Sequence, residues 1–161
     1  MNNKGFTLIE MLVVVSLIGL VAVTASGFLL VSLVSSEKAT VIKEIRQSGN
    51  YALSVMEGMI LTSVSVGCTA PSVVNVRDKD QNLTSFVCQE GAGISSSSAS
   101  LVNLTSADVV VSGCNFYCSV EPGIPSKVHL EFVIQKGTAG SRPGERASAK
   151  FETEVLNKNL D

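Results

Sequence analysis

Apolar and polar positions follow three different rules along this chain. From Met11 to Val34 the sequence is almost continuously apolar: it carries no charge, and only Ser16, Thr24, Ser26 and Ser32 are clearly polar. Coiled into a helix at about 1.5 Å per residue, that run is about 36 Å long, enough to cross a hydrocarbon core of roughly 30 Å. After Ser35-Ser36 the rule becomes amphipathic. Val41, Ile42, Ile45, Ala52, Leu53, Met56, Met59 and Ile60 recur at helical spacing, with Lys38, Lys43, Glu44, Arg46 and Glu57 on other faces. The two stretches together predict one helix from Phe6 to about Leu61, about 84 Å long, its second half packed on a globular head. Gly27 and Gly49 should weaken that helix by about 1 kcal/mol each without breaking it, unless close packing against another helix is their purpose.

From Val64 onward the period shortens to two. Val73–Val76, Leu83–Gln89 and Asp108–Ser112 are short β-branched runs separated by Gly, Pro, Asp and Asn. The clearest strands come last. In KVHLEFVIQ, Val128, Leu130, Phe132 and Ile134 alternate with Lys127, His129, Glu131 and Gln135. In ASAKFETEVL, Ala149, Phe151, Thr153 and Val155 alternate with Lys150, Glu152 and Glu154. Each reads as a half-buried antiparallel strand, and KGTAGSRPGER between them as a long, charged hairpin loop. GAGISSSSAS, Gly91 to Ser100, is low in complexity and reads as a flexible surface loop. The fold class is therefore α+β: a long N-terminal helix on a small antiparallel sheet.

Composition narrows the function. A net charge of −2 supplies no basic stripe for nucleic acid. The mean hydropathy of +0.37 is high, and most of the excess lies in the first 34 residues, so a membrane segment is joined to an ordinary exported part. A single histidine, His129, excludes chemistry built on several histidines; it falls on the polar face of its strand with no partner motif and reads as a surface residue. The flank MNNK is short and positive, whereas Glu37 to Arg46 mixes both signs, a weak bias that favours the N-terminus in the cytoplasm and the head outside.

One acidic residue, Glu10, stands at the front of the apolar run, where insertion into a bilayer would cost roughly 2.5–3.5 kcal/mol. A cleaved secretory signal ending at Val23-Thr24-Ala25 leaves Glu10 and the nine residues by which the apolar run continues unexplained, and a plain single-pass anchor also ignores Glu10. The stretch Gly5-Phe6-Thr7-Leu8-Ile9-Glu10, after a short basic leader and before an apolar helix, resembles the N-terminal motif of type IV prepilins and type II secretion pseudopilins. The resemblance covers Lys4 to about Leu20. It implies that a membrane-embedded prepilin peptidase cuts after Gly5 and methylates the new N-terminus, Phe6. It also implies a role for Glu10: its carboxylate meets the α-amino group of a neighbouring subunit's Phe6. That head-to-tail pairing favours an open helical filament. The closing run FETEVLNKN resembles the last strand of minor pseudopilins of the J type.

The organisation that follows is a leader over 1–5 that is removed, a transmembrane and assembly helix over 6–35, an amphipathic helix over 36–62 and an exported β-rich head over 63–161. Cys68, Cys88, Cys114 and Cys118 all lie in the head, which argues for disulfides. Three connectivities are open; Cys68–Cys88 and Cys114–Cys118 are favoured because each closes a local loop. A four-thiolate zinc site would want two short paired spacings, and one pair here is twenty apart. Asp78-x-Asp80-x-Asn82 begins like a calcium loop but has Leu83 where the glycine belongs and Gln89 where the last glutamate belongs, so it reads as an acidic turn. Asn82-Leu83-Thr84 and Asn103-Leu104-Thr105 fit a glycosylation sequon.

The function expected is a structural one, a minor subunit of a pilus-like or pseudopilus filament. No catalytic motif is present, and no cofactor or metal is expected. Its partners would be other pilin or pseudopilin subunits, the prepilin peptidase, an inner-membrane assembly platform and membrane lipid. The alternative is a membrane-anchored extracellular binding domain, an adhesin or receptor that does not polymerise.

Overall fold

The computed structural model describes residues 7–98, 100–119, 125–138 and 140–157. Helix α1 runs unbroken from Leu8 to Thr62, through both Gly27 and Gly49. At 55 residues it is about 82 Å long. Its second half buries Val41, Ile45, Gly49, Ala52, Met56 and Ile60, spaced three or four apart so that one stripe faces the head. Gly49 belongs to that stripe because of a strand and not another helix: a Cβ there would overlap the ring of Phe151. A Cβ at Gly27 would meet nothing within 4 Å.

The C-terminal end of α1 is held from the far end of the chain. Asn157, buried, donates from Nδ2 to the Ile60 carbonyl at 2.8 Å, the Ser63 carbonyl at 3.1 Å and Ser63 Oγ at 2.7 Å. The Ile60 carbonyl also accepts from the Ser63 N–H at 3.4 Å and from Ser63 Oγ at 2.8 Å, so the amide adds to a C-cap that Ser63 already provides.

The head contains two antiparallel meanders. Strands β1 (Ser65–Ala70), β2 (Val73–Arg77), β3 (Leu83–Cys88), β4 (Ile94–Ser97) and β5 (Leu101–Asn103) form a five-stranded sheet in chain order. Strands β6 (Val110–Ser119), β7 (Ser126–Lys136) and β8 (Ala147–Asn157) form a three-stranded sheet, also in chain order. Helix α1 lies mainly on β8, with β7 and the turn at Pro143–Glu145 beside it. Val128, Leu130, Phe132 and Ile134 of β7 are fully buried, and Phe132 stacks on Phe151 with ring centres 5.4 Å apart. The alternation in the last two strands therefore has the phase expected from the sequence.

Two expectations need correction. Gly91–Ser100 is not simply a flexible loop, because it contains β4, paired to β3 from Ser85↔Ser97 to Cys88↔Ile94. Ile94 is completely buried and its N–H donates to Thr105 Oγ1 at 3.0 Å. Serine contributes no apolar signal, and here the ladder and one buried side chain hold the strand. The favoured disulfide pairing is also overturned. Cys68 of β1 pairs with Cys118 of β6, and Cys88 of β3 with Cys114 of β6, at Cα separations of 5.5 and 6.2 Å. Cys114 and Cys118 share one strand, where four residues span about 13 Å, beyond the roughly 7 Å a disulfide can bridge. The sequence ends that strand at Ser112; a bulge between Ser112 and Asn115, with Gly113 at φ +60°, carries it on to Ser119. Both disulfides thus tie the five-stranded sheet to β6.

The connection from Lys136 to Arg146 does join β7 to β8, and it is more than a solvent loop. Its turn seats Gly144 against the Val34 carbonyl and the Glu37 side chain, where the apolar half of α1 ends.

Candidate assembly surface

The N-terminal signal begins with a cap. Thr7 is extended, at φ −81° and ψ 152°, and its Oγ1 accepts a hydrogen bond from the Glu10 N–H at 3.3 Å. Thr7-Leu8-Ile9-Glu10 therefore has the spacing of a capping box, a local signal that the reading of the same residues as a processing motif passed over. Glu10 lies in the first helical turn, where unpaired backbone N–H groups and the helix dipole favour a carboxylate by roughly 0.3–1 kcal/mol. This offsets only part of the cost of placing a charge at the head of an apolar helix. Gly5 and Phe6, the expected cut and methylation sites, lie outside the described residues, as does the leader over 1–5.

From Leu8 to Val34 every residue of α1 is exposed in the isolated chain, including Leu8, Ile9, Leu12, Leu17, Ile18, Leu20, Phe28 and Leu33. Three of the hydroxyls within this stretch are satisfied locally. Ser16 Oγ donates to the Leu12 carbonyl at 2.8 Å, Ser26 Oγ to Ala22 at 2.8 Å, and Thr24 Oγ1 to Val21 at 2.9 Å and Leu20 at 3.2 Å. Polar groups closed onto the preceding turn can face lipid or another apolar helix without a further partner. The helix is long and apolar enough to cross a membrane. The surface this leaves is a naked apolar cylinder with a single carboxylate at its tip.

On the head, Asp78, Asp80 and Asn82 lie in the β2–β3 hairpin. The Asp78 N–H donates to the Asn82 carbonyl at 3.0 Å, and the Asp78 carboxylate accepts from the Lys79 N–H at 2.6 Å, with Gln81 at φ 64°. That carboxylate is turned onto the hairpin's own backbone.

The outer face of the three-stranded sheet carries a group that linear spacing does not show. His129 and Glu131 are two apart on β7, and Glu152 stands opposite Glu131 on β8. His129 Nε2 lies 3.6 Å from Glu131 Oε2 and 3.9 Å from Glu152 Oε1. The Lys150 ammonium sits 3.1 Å from Glu131 and 2.9 Å from Glu152, and Lys127 pairs with Glu154 alongside. Hydrogen bonding to Lys150 holds the Glu131 carboxyl below the usual carboxylate range, and the bonds to Glu152 and Glu131 raise the Lys150 ammonium. Lys127 lowers Glu154 in the same way. The strand pairing, not the sequence spacing, brings these groups together.

Compared with known proteins, residues 1–26 match the family model described as the prokaryotic N-terminal methylation motif. No curated protein and no solved structure matches the chain significantly. The motif supports the pilin and pseudopilin family, points to a structural subunit and not an enzyme, and implies processing by a prepilin peptidase and association with other pilin subunits. With the one helix among the described residues that is long and apolar enough to cross a membrane, it fits a single-pass, membrane-anchored pilin.

Proposed function

We propose that this chain is a minor structural subunit of a type IV pilus-like or type II secretion pseudopilus filament. It inserts through the apolar half of α1 with its N-terminus in the cytoplasm and its head outside. The peptidase removes residues 1–5 and methylates Phe6. An inner-membrane assembly platform then moves the mature subunit from the bilayer into a filament, where the apolar cylinders of many copies pack together. Glu10 pairs with the α-amino group of a neighbour's Phe6, which sets register and neutralises a charge that lipid would not.

The observation that carries this reading is the contrast between the two halves of one continuous helix. Val41 to Ile60 are packed against the head, whereas Leu8 to Val34 are exposed among the described residues, touched only by the turn at Gly144, and lie in and beyond an N-terminal methylation motif. A simple anchor would need the length but not the motif. The resemblance of FETEVLNKN to the last strand of J-type pseudopilins supports the minor role.

Mass spectrometry of the protein purified from membranes tests the processing on which assembly depends. The N-terminal peptide should begin at a methylated Phe6. An intact Met1, or a chain starting after Ala25, would remove the filament reading and leave a membrane-anchored binding domain.

A further inference from the structure

We propose that His129, Glu131 and Glu152 form a surface site for one zinc(II) ion on the outer face of the β6–β7–β8 sheet. Their ligand atoms all lie within 4.8 Å of one another. Zinc takes imidazole nitrogen at about 2.0–2.1 Å and carboxylate oxygen at about 2.0–2.2 Å, so two ligands of one tetrahedral ion are about 3.4 Å apart. The observed 3.6 Å from His129 to Glu131 and 3.9 Å from His129 to Glu152 need to close by only a few tenths of an ångström. One nitrogen and two carboxylates are a donor set that zinc accepts, leaving its fourth position to water.

Two further observations support a built site. The ligands stand on strands whose opposite faces, Val128, Leu130, Phe132 and Phe151, are packed into the core, so the backbone beneath them is fixed. The same two carboxylates already attract a cation, the Lys150 ammonium, through their other oxygens, Glu131 Oε1 and Glu152 Oε2. That ammonium is carried on a flexible stem and its side chain is half exposed, so it can swing into water when a divalent ion arrives. Tyr117 of β6 and Glu154 of β8 are the cross-strand neighbours of His129 and flank the site. The four cysteines are in disulfides and do not compete as thiolates.

The chain's single histidine gives the test an unambiguous reporter. Untagged full-length protein in detergent would be titrated with zinc chloride, with heat and the His129 ring proton signals followed together. One saturable equivalent that moves the ring signals is expected. His129→Ala should weaken binding at least tenfold, and Lys150→Gln should tighten it at least threefold by removing the resident cation. Both changes are on the exposed face, and retention of the wild-type thermal transition would confirm that each variant is folded. Absence of saturable binding, ring signals that do not move, wild-type affinity in His129→Ala, or weaker binding in Lys150→Gln would each overturn the proposal.

Discussion

Single residues divide here into those fixed by the fold and those the fold leaves free. Gly27 and Gly49 look alike in the sequence, both glycines in a helical pattern, yet only Gly49 faces a ring. Replacing Gly27 by Ala should leave the head unchanged and strengthen the helix by about 1 kcal/mol. Gly49→Ala gains the same helix propensity but drives a methyl into Phe151, which is itself stacked on Phe132. Overpacking of this kind costs about 1–3 kcal/mol, so the net change should be destabilising. Urea unfolding of the detergent-solubilised chain, followed by tyrosine fluorescence, should show a lower midpoint for Gly49→Ala and none for Gly27→Ala. Glu10 was legible because a lone charge in an apolar run demands an explanation. His129 was not, because its partner Glu152 lies on the next strand and only the register brings it near.

Among the elements, legibility followed the strength of the pattern. Helix α1 was expected from Phe6 to about Leu61 and is found over Leu8–Thr62, since 55 residues of apolar and then amphipathic spacing leave few alternatives. Strands β7 and β8 alternate cleanly and were expected in the right phase. Strand β4 was hidden because Ser95, Ser96 and Ser97 carry no apolar signal, and the second half of β6 because a bulge at Gly113 breaks the alternation. The disulfides failed for the same reason: which cysteines meet depends on where β6 ends. Each bridge ties the five-stranded sheet to the sheet that α1 supports. In the chain-entropy model the bridges, with separations of 50 and 26 residues, stabilise the head by about 4 and 3.5 kcal/mol. Proteolysis without reduction, followed by peptide mass analysis, should recover Cys68 linked to Cys118 and Cys88 linked to Cys114. Recovery of Cys68 linked to Cys88 would contradict the arrangement of the two sheets.

For the whole molecule the decisive fact is asymmetry along one axis. Among the described residues, the head buries one half of α1 and leaves the other half, nearly all of it apolar, exposed except where the turn at Gly144 meets its end. Lipid covers that surface in the membrane. In the proposed filament other copies of the same helix would do so, and Glu10 is the group whose needs would then differ between the two settings. It is dispensable for insertion, because one charge near the helix end is a small fraction of the transfer energy of the apolar run. On the proposed reading it is required for docking, because without it the incoming amine of Phe6 would be buried unpaired at a cost of several kcal/mol. The most direct measurement compares wild type and Glu10→Ala in filaments sheared from cells, each normalised to its level in membranes. The account predicts wild type in the filaments, and Glu10→Ala inserted and cut after Gly5 but at least tenfold depleted from them. Absence of the wild-type chain from filaments, or incorporation of Glu10→Ala at the wild-type level, would contradict it.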